Sequence, residues 1–114
     1  MEKRHPMRVP VHLEAELISR GNNYAGLIRN ISENGAYVET APTETLEDFI
    51  PGTTLELKFQ LPSEETLSLQ CEVIWVYSRK TPPDGLINSM GLEIKAPPPE
   101  FEEFIKTLFF PLFE

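Results

Sequence analysis

Alternation with a period of two runs through almost the whole chain, and it restricts the fold more than any other feature. In VPVHLEAELI, Val11, Leu13, Ala15 and Leu17 share one face, and His12, Glu14 and Glu16 share the other. In TLELKFQLP, Leu55, Leu57, Phe59 and Leu61 alternate with Glu56, Lys58 and Gln60. In LSLQCEVIWVY, the alternation places Leu67, Leu69, Cys71, Val73, Trp75 and Tyr77 on one inward face. Successive side chains of a strand point to opposite faces, so this pattern marks strands that are buried on one side. Tyr24 to Arg29, Ala36 to Glu39 and Met90 to Lys95 add three shorter candidates. Gly21-Asn22-Asn23, Glu33-Asn34-Gly35, Pro51-Gly52 and Pro62-Ser63-Glu64 supply turns between them. Six short strands with hairpin-type connections predict a small antiparallel barrel or sandwich.

Two segments depart from the pattern. Residues 78–89, SRKTPPDGLINS, read as a polar loop rich in Pro and Gly. Residues 99–113 change to a helical period, with Phe101, Phe104, Ile105, Leu108 and Leu112 on one stripe. Pro99 suits the first turn, Glu100, Glu102 and Glu103 complement the positive end, and Pro111 ends the helix. Such a helix caps a barrel mouth. Phe109, Phe110 and Phe113 add apolar surface that would suit a protein partner. Residues 44–49, ETLEDF, predict one helical turn before Pro51.

Composition excludes several classes of function. Among 114 residues, 10 Lys and Arg face 18 Asp and Glu, for a formal charge of −8. Such a surface repels nucleic acid polymers and anionic membranes except at a local basic patch. The single cysteine, Cys71, excludes an internal disulfide and reads as a small core residue. No apolar run approaches the ~18 residues of a membrane span, and the polar start shows no leader peptide. A soluble cytoplasmic protein is expected. His12 lies on a polar strand face and is read as a bystander. With no metal-ligand spacing, nucleophile elbow or phosphate-cradling glycine loop, no catalytic or metal residue is assigned, and an enzyme is not expected.

What remains is a concentration of positive charge at the start, Lys3, Arg4 and Arg8, and the stretch NISENG. A guanidinium pairs with phosphate through two hydrogen bonds, grips the O6/N7 edge of guanine in the same way, and stacks on bases. Asn30 and Ser32 stand two apart and point to one side of an extended segment, with groups suited to a base edge or a phosphate oxygen. Gly35 can take φ > 0 and admits another group close to the backbone.

Together, Arg4-His5-Pro6-Met7-Arg8 and Asn30-Ile31-Ser32-Glu33-Asn34-Gly35 resemble the paired R-x-x-x-R and [DN]-x-S-x-x-G signature of the PilZ domain, a bacterial receptor module for cyclic di-GMP. Val9-Pro10-Val11, Pro51-Gly52, Val73-Ile74-Trp75 and Met90-Gly91-Leu92-Glu93-Ile94 resemble the family's flanks, so the likeness spans nearly the whole chain. It departs in two places: Asn30 stands where many members carry Asp, and Lys3 stands where many carry a further arginine. Both bear on affinity and on whether one or two ligands bind.

The resemblance implies an all-β fold with a C-terminal helix, a six-stranded antiparallel split barrel. A single domain would comprise a mobile ligand-clamping segment at 1–10, the barrel at 11–98 and the helix at 99–114. Arg4 and Arg8 would clamp phosphates and guanines, Asn30 and Ser32 would bind a guanine edge, and Gly35 would shape the turn. Lys3 adds charge, and Arg29 is a candidate helper whose face the alternation leaves open. No cofactor is implied beyond the ligand. Ordering of the N-terminal segment would pass the signal to an unidentified effector protein, the domain being a monomer or weak homodimer. Two other readings compete: a PilZ-like adaptor that contacts proteins without binding nucleotide, and an oligonucleotide-binding barrel, which the −8 charge opposes.

Overall fold

The structure, a computed structural model, describes residues 8–43, 49–82 and 85–109. Six strands, β1 (Val9–Ser19), β2 (Asn22–Ile31), β3 (Gly35–Thr40), β4 (Thr54–Gln60), β5 (Thr66–Thr81) and β6 (Gly85–Lys95), precede one helix, α1 (Pro99–Phe109). Every described pairing is antiparallel, and the strands close into a barrel in the order β1-β2-β3-β6-β5-β4. The expected barrel is therefore present, with its core inside. Leu17, Ile28, Val38, Leu57, Leu69, Cys71, Val73 and Met90 are all at most 1% exposed. Each comes from the inward parity of its strand, as the alternation requires.

α1 lies on one end of this core. Its first turn bonds back to Pro98, whose carbonyl accepts from the Phe101 and Glu102 amides at 3.0 and 3.3 Å. Phe101, Phe104 and Ile105 are buried, and the Phe104 ring lies 5.8 Å from that of Phe59. The stripe read from the sequence is thus the buried one as far as Leu108, which packs against the core. Leu112, Pro111, Phe110 and Phe113, and the Phe109 side chain, lie outside the described residues. So do residues 44–48; Phe49 after them is buried and meets Tyr24 edge-on at 4.8 Å.

Three expectations are corrected. The turn after β1 is Arg20-Gly21, with φ of 54° and 81°. Both residues are left-handed, as a two-residue hairpin turn that follows the twist of its strands demands, and Asn22 and Asn23 belong to β2.

Residues 78–81 and 85–89 are not a loop: β5 and β6 stay paired from Ser78↔Asn88 to Thr81↔Gly85. The apolar signal disappears there because the inward positions are filled by a polar network. The Ser78 hydroxyl donates to Asn88 Oδ1 at 2.6 Å, and the Asn88 amide donates to Thr40 Oγ1 at 3.0 Å. Asn88 is fully buried, and its hydrogen bonds make that burial tolerable.

Trp75 and Tyr77 do not face inward. The β5–β6 register shifts between Val73 and Trp75. This β-bulge inserts one residue, Ile74, and reverses the parity of all that follows. Trp75 and Tyr77 are 46% and 63% exposed, whereas Val76 packs against the core.

Candidate functional site

A second irregularity builds the site. The β2–β3 register shifts between Ile28 and Asn30. Ile28 and Ile31 are both fully buried, which leaves Arg29 and Asn30 together on the outer side. A regular strand would have separated them. Arg29, whose face the sequence left open, pairs with Glu39 at 2.9 Å. Glu39 also accepts from the Tyr37 hydroxyl at 3.4 Å and the Ser89 hydroxyl at 3.3 Å.

Arg8, just before β1, donates from Nη1 to Asn30 Oδ1 at 3.0 Å. This contact joins the two halves of the sequence signature across 22 positions. Ser32 and Gly35 close the turn beneath it. The Ser32 amide donates to the Gly35 carbonyl at 2.9 Å, and the buried Ser32 hydroxyl reaches Asn34 Oδ1 and the Gly35 carbonyl at 3.4 Å each. The Asn34 carbonyl accepts from the Ile94 amide at 2.9 Å and ties the turn to β6.

Gly35 does not use a left-handed backbone; among described glycines only Gly21 and Gly52 do. Close approach is what requires it. A Cβ there would lie 3.2 Å from the Leu92 carbonyl and 3.6 Å from both Arg8 Nη2 and Ser32 Oγ. The structure thus brings Arg8, Asn30, Ser32 and Gly35 together with Arg29 beside them. Lys3 and Arg4, with the rest of segment 1–7, lie outside the described residues.

Two aromatic residues complete the surface and were not assigned to it from sequence. Asn30 pairs with Tyr37, Tyr37 with Gly91, and Gly91 with Trp75, so one row crosses β2, β3, β6 and β5. The Trp75 ring lies over Gly91 and 5.7 Å from the Tyr37 ring. A glycine inside the predicted strand MGLEI was the available signal, since strand glycines mark close approach.

The arrangement offers a guanidinium, an amide and two aromatic rings on an open barrel face. A flat, anionic, base-containing molecule matches that chemistry. The neighbouring cleft of about 410 Å³, between this turn and Phe101 and Ile105 of α1, is edged by Glu33, Glu102 and Lys106, so its charged lining is net negative and suits an anion less than the Arg8 face does. Among the described residues no group of three or more His, Cys, Asp or Glu could hold a metal ion, and no helix is long and apolar enough to cross a membrane.

Barrel and surface together define a small β-barrel module with a candidate site centred on Arg8 and Asn30. The chain matches the PilZ domain over residues 2–110 and belongs to the PilZ domain family. The PilZ domain of Escherichia coli YcgR with c-di-GMP has the same fold, with a TM-score of 0.73 at 11% identity, covering 97% of this chain and 92% of that one. The Bacillus subtilis inhibitor of motility MotI/DgrA gives 0.73 at 20% identity, over 98% of this chain and 52% of that one. The K. pneumonia MrkH–c-di-GMP complex gives 0.73 at 18% identity, over 98% and 53%. The chain therefore spans about half the length of the last two, and at these identities the likeness is one of fold. No curated protein matches the chain by sequence.

Proposed function

We propose that this chain is a receptor for cyclic di-GMP rather than an enzyme. The Arg8–Asn30 contact carries the reading: it sets a guanidinium against an amide at 3.0 Å on an exposed barrel face. The amide carbonyl has a second lone pair, and its NH₂ remains available for a guanine edge. Arg8 keeps further N–H donors for a phosphate or for guanine O6/N7. Tyr37 and Trp75 provide a surface on which a base can stack. Arg4 and Lys3 supply the second cationic contact from segment 1–10, which clamps the ligand. Clamping carries the signal to an effector protein in the cytoplasm. The family membership and the c-di-GMP complexes of YcgR and MrkH support the ligand class.

Calorimetric titration with cyclic di-GMP tests this, with cyclic di-AMP as comparison. Binding selective for guanine is expected. Arg8→Ala is expected to weaken it by roughly 2–3 kcal/mol, the worth of hydrogen bonds to a charged group. Arg8 is exposed, so melting without ligand changes little. Heat-silent titration of the folded wild type would leave the protein-contact adaptor as the better reading.

A further inference from the structure

β5 has two edges, and among the described residues one of them is unpaired over half its length. β4 covers it from Thr66 to Glu72, and Gly52 and Thr53 complete the coverage through bonds to Val73 at 2.8 and 2.9 Å. From Ile74 to Thr81, β6 pairs the other side, while no described residue pairs the first. The exposed large hydrophobic residues among those described are Ile50, Ile74, Trp75 and Tyr77. Three lie on this edge, and Ile50 stands two residues before Gly52, which is bonded to it. Open edges are normally blunted by inward charge, proline or brevity, because unpaired N–H and C=O groups recruit another strand. Here the stretch IWVY is apolar and rich in β-formers, and cationic residues follow only at Arg79 and Lys80.

We infer that this edge pairs antiparallel with the same edge of a second copy and extends the sheet across a two-fold axis. The edge is its own complement. Trp75, Tyr77 and Arg79 share the outer face after the bulge. Pairing about Tyr77 sets Trp75 of each copy opposite Arg79 of the other, a cation over an indole. It also sets the two Tyr77 rings beside each other as a cross-strand aromatic pair. A net charge of −8 makes copies repel over most of their surface. The stretch from Ile74 to Thr81 contains no carboxylate and two cations, so repulsion is weakest there.

Sedimentation velocity from micromolar to millimolar protein, without nucleotide, tests the pairing independently of the ligand assignment. The mass is expected to rise from one protomer to two. Tyr77→Lys places two like charges opposite each other on the axis and should weaken the dimer by at least about tenfold; Arg79→Ala should weaken it less. Both side chains are exposed, so unchanged circular dichroism is expected and controls for folding. A wild type that stays monomeric throughout overturns the proposal and leaves the edge to a foreign strand. A dimer indifferent to both substitutions overturns it as well.

Discussion

Gly91 stands in the middle of β6, where a Cβ would sit 2.1 Å from Trp75 Nε1 and 2.7 Å from Cε2. An alanine there must lift the indole off the strand. Gly91→Ala should therefore shift the emission of this single tryptophan to longer wavelength and weaken nucleotide binding, while in a Trp75→Ala background it should cost little. Equal costs in both backgrounds would mean that the ring is not what Gly91 accommodates. Cys71 gives a second residue-scale expectation. Burial pushes its thiol from 9.0 up to about 12. Between those values the unfolded chain has released the proton and the folded chain has not. Stability from this group is thus intact below pH 9 and falls as pH rises toward 12, by about 1.4 kcal/mol per pH unit. Urea midpoints from pH 8 to 11 should fall less steeply for Cys71→Ala than for wild type, and parallel curves would refute the assignment. The motif spacing made Arg8, Asn30, Ser32 and Gly35 legible in the sequence. Trp75 was not, because one inserted residue at Ile74 reverses which face it meets, and in the run VIWVY, apolar on both faces, alternation cannot say which parity points inward.

At the scale of elements, the β5–β6 hairpin shows where pattern reading stops. Its near half, from Leu67 to Val73, alternates cleanly and was readable. Its far half is held by Ser78, Asn88 and Thr40, whose inward polar side chains look like a loop to any measure of hydrophobicity. The helix was legible for the opposite reason: Phe101, Phe104 and Ile105 bury an apolar stripe against the barrel with no polar substitute. The turn around Gly35 lies between these cases, its motif visible but its register shift at Arg29 not. If the polar network is what keeps the far half paired, removing its centre should release that half alone. Asn88→Ala leaves the Ser78 hydroxyl without its acceptor and opens a small void, while the backbone amide of residue 88 keeps its bond to Thr40 Oγ1, at a cost of roughly 2–4 kcal/mol. Amide exchange should accelerate at residues 76–81 and 85–90 and change much less in β1 and β2. Uniform acceleration through the barrel would show that the hairpin does not open as a separate unit.

For the molecule as a whole, the question is how a chain of net charge −8 would hold a dianion. The answer lies in distance. At the site, each phosphate would meet a guanidinium at about 4 Å, worth roughly 1 kcal/mol per pair in water and several times that where solvent is partly excluded. The carboxylates are spread over a body with a radius of gyration of 14.5 Å. That spread exceeds the Debye length of about 10 Å at 0.1 M salt, so most of their repulsion is screened there. At about 0.01 M the Debye length grows to roughly 30 Å, and the whole negative charge then opposes the ligand. Affinity for cyclic di-GMP should therefore rise from about 0.01 M to about 0.1 M salt, as long-range repulsion is removed, and fall beyond that as the short contacts are screened in turn. Fluorescence titrations across this range, with wild type and Arg8→Ala, would test it. The variant should keep the rise and lose about half of the fall, because the fall depends on the cationic contacts and Arg8 is one of the two arginines assigned to the phosphates. A wild-type affinity that is flat above about 0.1 M would mean that stacking and base-edge contacts, not phosphate charge, hold the ligand.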